Sequence, residues 1–328
     1  MNYGPLLFLA AFFALASSWC GFVLSPQVQI GHLQQTNTLG GAAAPYPIAR
    51  PGLARQGMEV YCANGCAYCH SQQVGQTGTV VDIALTDAGT NQAATVAALL
   101  KLTEGATNQP SALTILVPLQ PGSSNATTES ILGGLPKAFF RSSSRQAANA
   151  AAKTLNATSA KAQLWIVPVG PDITRGWGRR RSVAEDYLYD SPVMPGSQRV
   201  GPDLANVGAR LSDANWQLRH LYAPRLEVKA STMPPYRFLF EKRAVGPRPS
   251  PEALALPGDL APGPGYEIVP RPAAKALAAY LLSLRADAPL FDAPLSVPAP
   301  AGAPASTNAP AAPGAASTNA PTTNAPAK

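Results

Sequence analysis

The chain has 328 residues, enough for one or two domains, with 46% hydrophobic but only 13% charged residues and a net charge of +7. Pro (34) and Gly (27), with Ala, Ser, Thr and Asn, make up the balance, a bias that calls for long irregular segments. The local basic cluster Arg175, Arg179, Arg180 and Arg181 has no aromatic ladder beside it, which argues against nucleic acid as a partner, and 4 cysteines do not make a disulfide framework for a chain this long.

Residues 4–25 carry no charge and match the roughly 20 residues a bilayer core requires. No basic region precedes the run and it is longer than a signal-peptide core, so residues 1–25 read as an uncleaved transmembrane anchor. The first Lys or Arg is Arg50, so the run sets no orientation of its own. Residues 26–50 read as a tether with few apolar anchors. Residues 51–65 open with Pro51 and then show helical spacing at Leu53, Met58 and Tyr61. Gly57 on this helix allows close approach of another.

The helix delivers Cys66-Ala67-Tyr68-Cys69-His70, the C-x-x-C-H pattern of covalent haem attachment. Two thiols at this spacing add to the two vinyl groups of one porphyrin, and the adjacent imidazole is held to ligate iron. A structural zinc site needs four protein ligands, and only Cys20 and Cys62 remain as thiols, Cys20 within the apolar run. A redox dithiol has no need of the following His. Cys62 receives no role.

Residues 80–170 read as a small α/β insert: a strand at Val80–Leu85, a helix at 92–102, a strand at Leu113–Leu119, helices at 127–140 and 144–157, and a closing strand at Gln163–Val169. The segment has no His, Cys or Met, hence no soft or imidazole ligand for iron. Its pieces VDIALTDAGTNQAATVAALLKL and ESILGGLPKAFF…RQAANAAAKTLNATSAKAQLWIV resemble the C-terminal domain of the bacterial ribosomal stalk protein in pattern and order of elements. It lacks the helix-initial Gly and Lys with which that family meets translation factors. A shared fold does not bring a shared function, and the insert reads as a docking or spacer module.

Residues 171–285 return to the haem domain. In RVGPDLANVGARL (199–211), Gly201-Pro202 sets a turn that presents a carbonyl, and Asp203 can cap the short helix that follows. Trp216, Leu218 and Leu221 mark an amphipathic helix ending before Pro224. Ser231-Thr232-Met233-Pro234-Pro235-Tyr236 is an extended, Pro-bounded loop that can carry the Met233 thioether to the free face of a haem. The rival ligands are His220, on the amphipathic helix, and His32, near the tether. Residues 241–271 read as Pro/Gly-rich wrapping. Residues 272–285 start with Pro272 and carry an apolar stripe at Leu277, Tyr280, Leu281 and Leu284, suited to a crossing of Tyr280 against Gly57. Residues 286–328 read as a Pro/Ala-rich tail, in which ASTNAP occurs at 305–310 and 316–321, a composition that cannot bury a core and is disordered.

Together the anchor, CAYCHSQQV, RGWGRRRSVAEDYLYDSPVMPGSQRVGPDLANVGARL and STMPPYRFLFEKR resemble the mono-haem cytochrome c subunit (subunit II) of cbb3-type cytochrome c oxidases, over residues 4–79 and 171–285. The resemblance implies a mainly α fold: a class I cytochrome c domain (51–79 and 171–285) on a single N-terminal transmembrane helix, interrupted by the α/β insert. It implies one covalent haem c on Cys66 and Cys69, with His70 and Met233 as axial ligands. The Pro202 carbonyl accepts from His70, and Arg199 neutralises a propionate. It further implies an electron-transfer subunit with no catalytic residue of its own. That subunit sits in the bacterial inner membrane with its haem domain in the periplasm, where covalent attachment takes place, beside a haem–copper catalytic subunit and other cytochrome c subunits. With His (3) the chain cannot itself hold a haem–copper centre. A free-standing membrane-bound cytochrome c shuttling electrons between other complexes shares every haem residue; the stretch RRSVAEDYLYD, read as a partner-facing surface, argues against it. A peroxidase-like enzyme needs an open axial site, which Met233 opposes.

Overall fold

The structure is a computed structural model that describes residues 3–39, 43–108, 112–119 and 128–295. The disordered tail expected at 286–328 lies outside the described residues from 296 onward. Its first part, 286–295, packs onto the protein, with Ala286, Leu290 and Ala293 buried.

Helix α1 spans Gly4–Gly31 without a break, six residues beyond the expected run. It is long and apolar enough to cross a membrane. None of its residues is buried; Phe8 and Phe22 stand 74% and 83% exposed, so its apolar side chains are offered to the surroundings on every face. The tether is better anchored than its composition implies. Strands β1 (Thr36–Asn37) and β2 (Pro45–Tyr46) pair antiparallel, and Leu39 N–H donates to the Pro289 carbonyl.

Helix α2 (Gly52–Ala63) follows Pro51 and ends at Gly65, whose positive φ of 66° turns the chain into the Cys66–Tyr68 3-10 turn. After a short extended stretch comes the insert. Its elements are β3 (Gly78–Asp87), α3 (Gln92–Asn108), β4 (Thr114–Ile115), α4 (Thr128–Leu132), β5 (Lys137–Ser142), α5 (Arg145–Asn156) and β6 (Lys161–Val169). The sheet order β4-β5-β3-β6, with every neighbouring pair antiparallel, is that of a split βαβ unit. Ile83, Leu85, Leu99, Phe140 and Leu155 are buried in its own core.

One element differs in kind from the sequence reading: the helix expected at 127–140 is the short α4 followed by strand β5. Gly133-Gly134, with Gly134 at φ 73°, breaks the helix, and Pro136 cannot continue it. The apolar run after Pro136 is then free to become a central strand.

The chain re-enters the first domain through α6 (Pro171–Thr174), then α7 (Val207–Arg210), α8 (Ala214–Tyr222) and α9 (Pro224–Glu227). Strands β7 (Phe240–Ala244) and β8 (Tyr266–Pro270) form an antiparallel pair inside the stretch expected only to wrap the surface. The last helix is α10 (Pro272–Ser283). The architecture is therefore mixed α/β rather than mainly α: alongside the helices, three sheets are present among the described residues. The reason is local. Pro-rich flanks hid the β7–β8 pair, and the strand of the insert that looked helical is central to its sheet.

Helices α2 and α10 cross at Gly57. A Cβ there would stand 1.9 Å from the Ala276 carbonyl oxygen and 2.7 Å from Tyr280 Cβ, so only glycine lets the backbones meet. Met58, Tyr61, Leu277 and Tyr280 are buried around the crossing, and the Tyr61 and Tyr280 rings lie 5.2 Å apart. Each such side chain contributes about 1.5–3 kcal/mol on burial.

Candidate functional site

The Cys66–His70 turn sits where α2 ends, wound tightly enough that the Cys69 and His70 N–H groups both donate to the Cys66 carbonyl, at 3.2 and 3.0 Å. Neither thiol is in a disulfide. Cys66 lies half-buried against the apolar cluster of the α2–α10 core, and burial pushes its thiol up to about 11.

His70 is fixed from the far side of the sequence. Its Nδ1 lies 2.9 Å from the Pro202 carbonyl, 132 residues away, and as the N–H tautomer it donates there. The ring packs against Gly201, where a Cβ would come within 2.2 Å of Cε1. Main-chain bonds tie the same two strands together: Gly201 N–H to the Cys69 carbonyl at 2.9 Å and Leu204 N–H to the Ser71 carbonyl at 2.8 Å. Burial pulls the imidazole below its ordinary value, while the Pro202 carbonyl and the Asp203 charge push back. The neutral ring, with Nδ1 engaged and Nε2 uncommitted, is the form that ligates a metal.

Met233 is half-buried against the same cluster as Cys66, together with Tyr222, Tyr236 and Leu256. Its loop is held at both ends: Ser231 Oγ accepts from Met233 N–H at 3.2 Å, and Tyr236 N–H donates to the Leu221 carbonyl at 2.8 Å. His220, the rival ligand, stacks on Trp216 at 4.8 Å and 7° between planes.

The chemistry of this donor set fits a covalent haem. Two uncrosslinked thiols and an imidazole fixed at Nδ1 lie in one turn, and Cys66 and the Met233 thioether pack half-buried against the same apolar cluster, a donor set that suits a c-type porphyrin.

Arg199 is held by Asp172. Its Nη1 meets both oxygens of buried Asp172 at 2.8 Å, its Nη2 donates to the Gln73 carbonyl, and its guanidinium lies 5.6 Å from the Trp177 ring. Asp172 also accepts from Gly75 N–H at 2.7 Å, so this carboxylate clamps both crossings between the haem-site strand and the insert.

Residues 161–249 match the family model described as "Cytochrome C oxidase, mono-heme subunit/FixO". The matched stretch carries Arg199, Gly201, Pro202 and Met233; Cys66, Cys69 and His70 lie upstream of it and are joined to it by the Pro202 contact. The match covers 89 of the 328 residues and makes that stretch similar to a mono-heme subunit of cytochrome c oxidase. It lends nothing to the stalk-protein likeness of the insert, of which it overlaps only 161–170. No curated protein matches the chain.

Sequence reasoning missed two features. Arg180, counted as part of a basic surface cluster, is fully buried. It donates to both oxygens of Asp186 at 2.8 and 3.0 Å and to the Ala288 and Arg181 carbonyls, while Tyr46 OH donates to Asp186 at 2.6 Å. The run RRSVAEDYLYD thus turns partly inward as a clasp joining the tether, the haem domain and residues 286–295. The second is the depth of Asp203, read only as a helix cap. The six-residue spacing between Arg180 and Asp186 was the available signal for the first; nothing local marked the second.

Proposed function

We propose that the chain is a membrane-anchored, mono-haem cytochrome c subunit of a cbb3-type oxidase that passes electrons toward a haem–copper catalytic subunit. The observation that carries this reading is the 2.9 Å contact of His70 with Pro202, which unites the C-x-x-C-H turn with the segment matching an oxidase-subunit family. Cys66 and Cys69 would hold haem c through two thioether bonds, and His70 and Met233 would ligate its iron. When bound, the haem would supply one-electron exchange. The residues fix the ligand side chains: Pro202 and Gly201 stop the imidazole from turning, and the anchored 231–236 loop holds the thioether in place. The Gly4–Gly31 helix is the anchor, and the haem domain lies in the periplasm, where covalent attachment takes place.

A pyridine haemochrome spectrum on the purified chain is the direct test. A c-type spectrum that vanishes in Cys69→Ala supports the reading; a haem stain surviving at normal strength in that variant contradicts it.

A free-standing membrane cytochrome c remains the second reading, favoured by one observation. RRSVAEDYLYD, which as a partner-facing surface would speak for a fixed complex, has two of its charges, Arg180 and Asp186, buried. Co-purification with a haem–copper subunit separates the two readings.

A further inference from the structure

Asp203 follows Pro202 and is wholly buried. Its Oδ2 accepts from Ser71 Oγ at 2.6 Å and from Gln73 N–H at 2.7 Å, and its Oδ1 accepts from Ala205 N–H at 2.9 Å. Three hydrogen-bond donors, one hydroxyl and two main-chain N–H groups, meet its two oxygens. No Lys, Arg or His side chain forms an ion pair with it among the described residues; the Arg210 guanidinium donates through Nη2 to the Asp203 main-chain carbonyl instead. Buried charges are ordinarily paired. The direct partners of this one are dipoles, the Arg210 guanidinium acting on it without an ion pair, and it lies directly behind the turn whose carbonyl holds His70.

A helix cap explains only the Ala205 bond. The α7 helix begins at Val207 and has four residues, too short to require a buried anion for its start. Two of the three bonds run the other way, to Ser71 and Gln73, the first and third residues after His70.

We propose that Asp203 is a positioning residue that sets the redox balance of the site, its buried negative charge favouring the oxidised over the reduced state of a haem held by His70. It touches neither the imidazole nor the thiols; it acts through Ser71, the Pro202 turn and the field across them. The inference rests on the proposed haem-bearing role. Ferric haem carries one more positive charge than ferrous haem, so a fixed anion in a medium of low dielectric stabilises the ferric form. Removing the charge therefore raises the midpoint potential.

The test is a redox titration of the full-length chain in detergent, wild type against Asp203→Asn and Asp203→Ser, with haem content and low-spin absorption measured alongside. The expected result is haem still attached and low-spin, with the reduced-to-oxidised ratio at fixed ambient potential raised by roughly tenfold, about 59 mV for a one-electron couple. Ser71→Ala keeps the charge and removes one of its donors, so it leaves the potential unchanged or lowers it. Variants that lose thermal stability yet keep the wild-type potential overturn the proposal, because Asp203 is then merely structural. A Ser71→Ala rise of tenfold or more in the reduced-to-oxidised ratio also overturns it, because the hydrogen bond and not the charge then sets the potential; this arm needs no Asp203 variant and holds even where neither of them folds. A wild-type chain carrying no haem sinks the functional reading itself, an outcome distinct from either.

Discussion

Gly57→Ala tests the helix crossing that forms the floor of the site. The new Cβ would stand 1.9 Å from the Ala276 oxygen, 2.5 Å from its carbonyl carbon and 2.7 Å from Tyr280 Cβ. Two of the three obstacles are backbone atoms, which cannot rotate aside. Helices α2 and α10 must part by about 1.5 Å, the gap between 1.9 Å and the 3.4 Å at which ordinary contact begins. Overpacking of this kind costs about 1–3 kcal/mol before the loosening of Met58, Tyr61, Leu277 and Tyr280 is added. Alanine in place of glycine inside a helix returns at most about 1 kcal/mol. The net loss is about 2–3 kcal/mol, a fall in Tm of roughly 5–10 °C for a domain of this size. Thermal melts of the full chain in detergent, followed by far-ultraviolet circular dichroism, measure it. A Tm equal to or above that of the wild type refutes the reasoning, because helix propensity would then outweigh the contact.

Asp186→Asn strands the fully buried Arg180 without its anion and costs about 3–5 kcal/mol in a guanidinium titration; a loss under about 1 kcal/mol would show that Arg180 finds water instead. Met233→Ala lowers the midpoint potential or opens the iron to added imidazole, and an unchanged potential with unchanged low-spin absorption removes Met233 as a ligand. Burial holds Tyr187 and Tyr280 protonated in the folded state up to about 12, above the ordinary phenol value of 10.0. The unfolded chain gives up these protons first, so stability is fully present below pH 10 and falls between pH 10 and 12, by about 3 kcal/mol for the fully buried Tyr280. A denaturation midpoint flat across that window contradicts the burial of these hydroxyls.

Much of the site was legible because its chemistry is local. The C-x-x-C-H pentad, the Gly201-Pro202 turn and the Pro-bounded Met233 loop each announce themselves within a few residues. What stayed hidden depends on partners far along the chain. Nothing near Arg199 in sequence reveals its partner Asp172. Arg180 looked like surface because its neighbours Arg179 and Arg181 are charged too. In the insert, the breakers Gly133, Gly134 and Pro136 stand inside ESILGGLPKAFF, but its helix-like apolar spacing masked them, and pairing with β3 and β4 completes Lys137–Ser142 as a strand. The β7–β8 pair escaped for a similar reason: its strands lie 21 residues apart at the closest register pair, Ala244 with Tyr266, separated by Pro/Gly-rich chain of no regular pattern.

The root of the insert has a practical corollary. The chain departs at Thr77 and comes back at Val169, where Thr77 N–H meets the Val169 carbonyl at 2.9 Å. The two ends form a socket rather than a gap, so bridging them with a short hairpin demands little loop-closure entropy. Gly75 and Asp172, just inside the socket, keep their own bond whatever is plugged in. A fluorescent or affinity module with adjoining termini can therefore be exchanged there, turning a natural digression of the polypeptide into a mounting point that leaves the Cys66–His70 turn undisturbed.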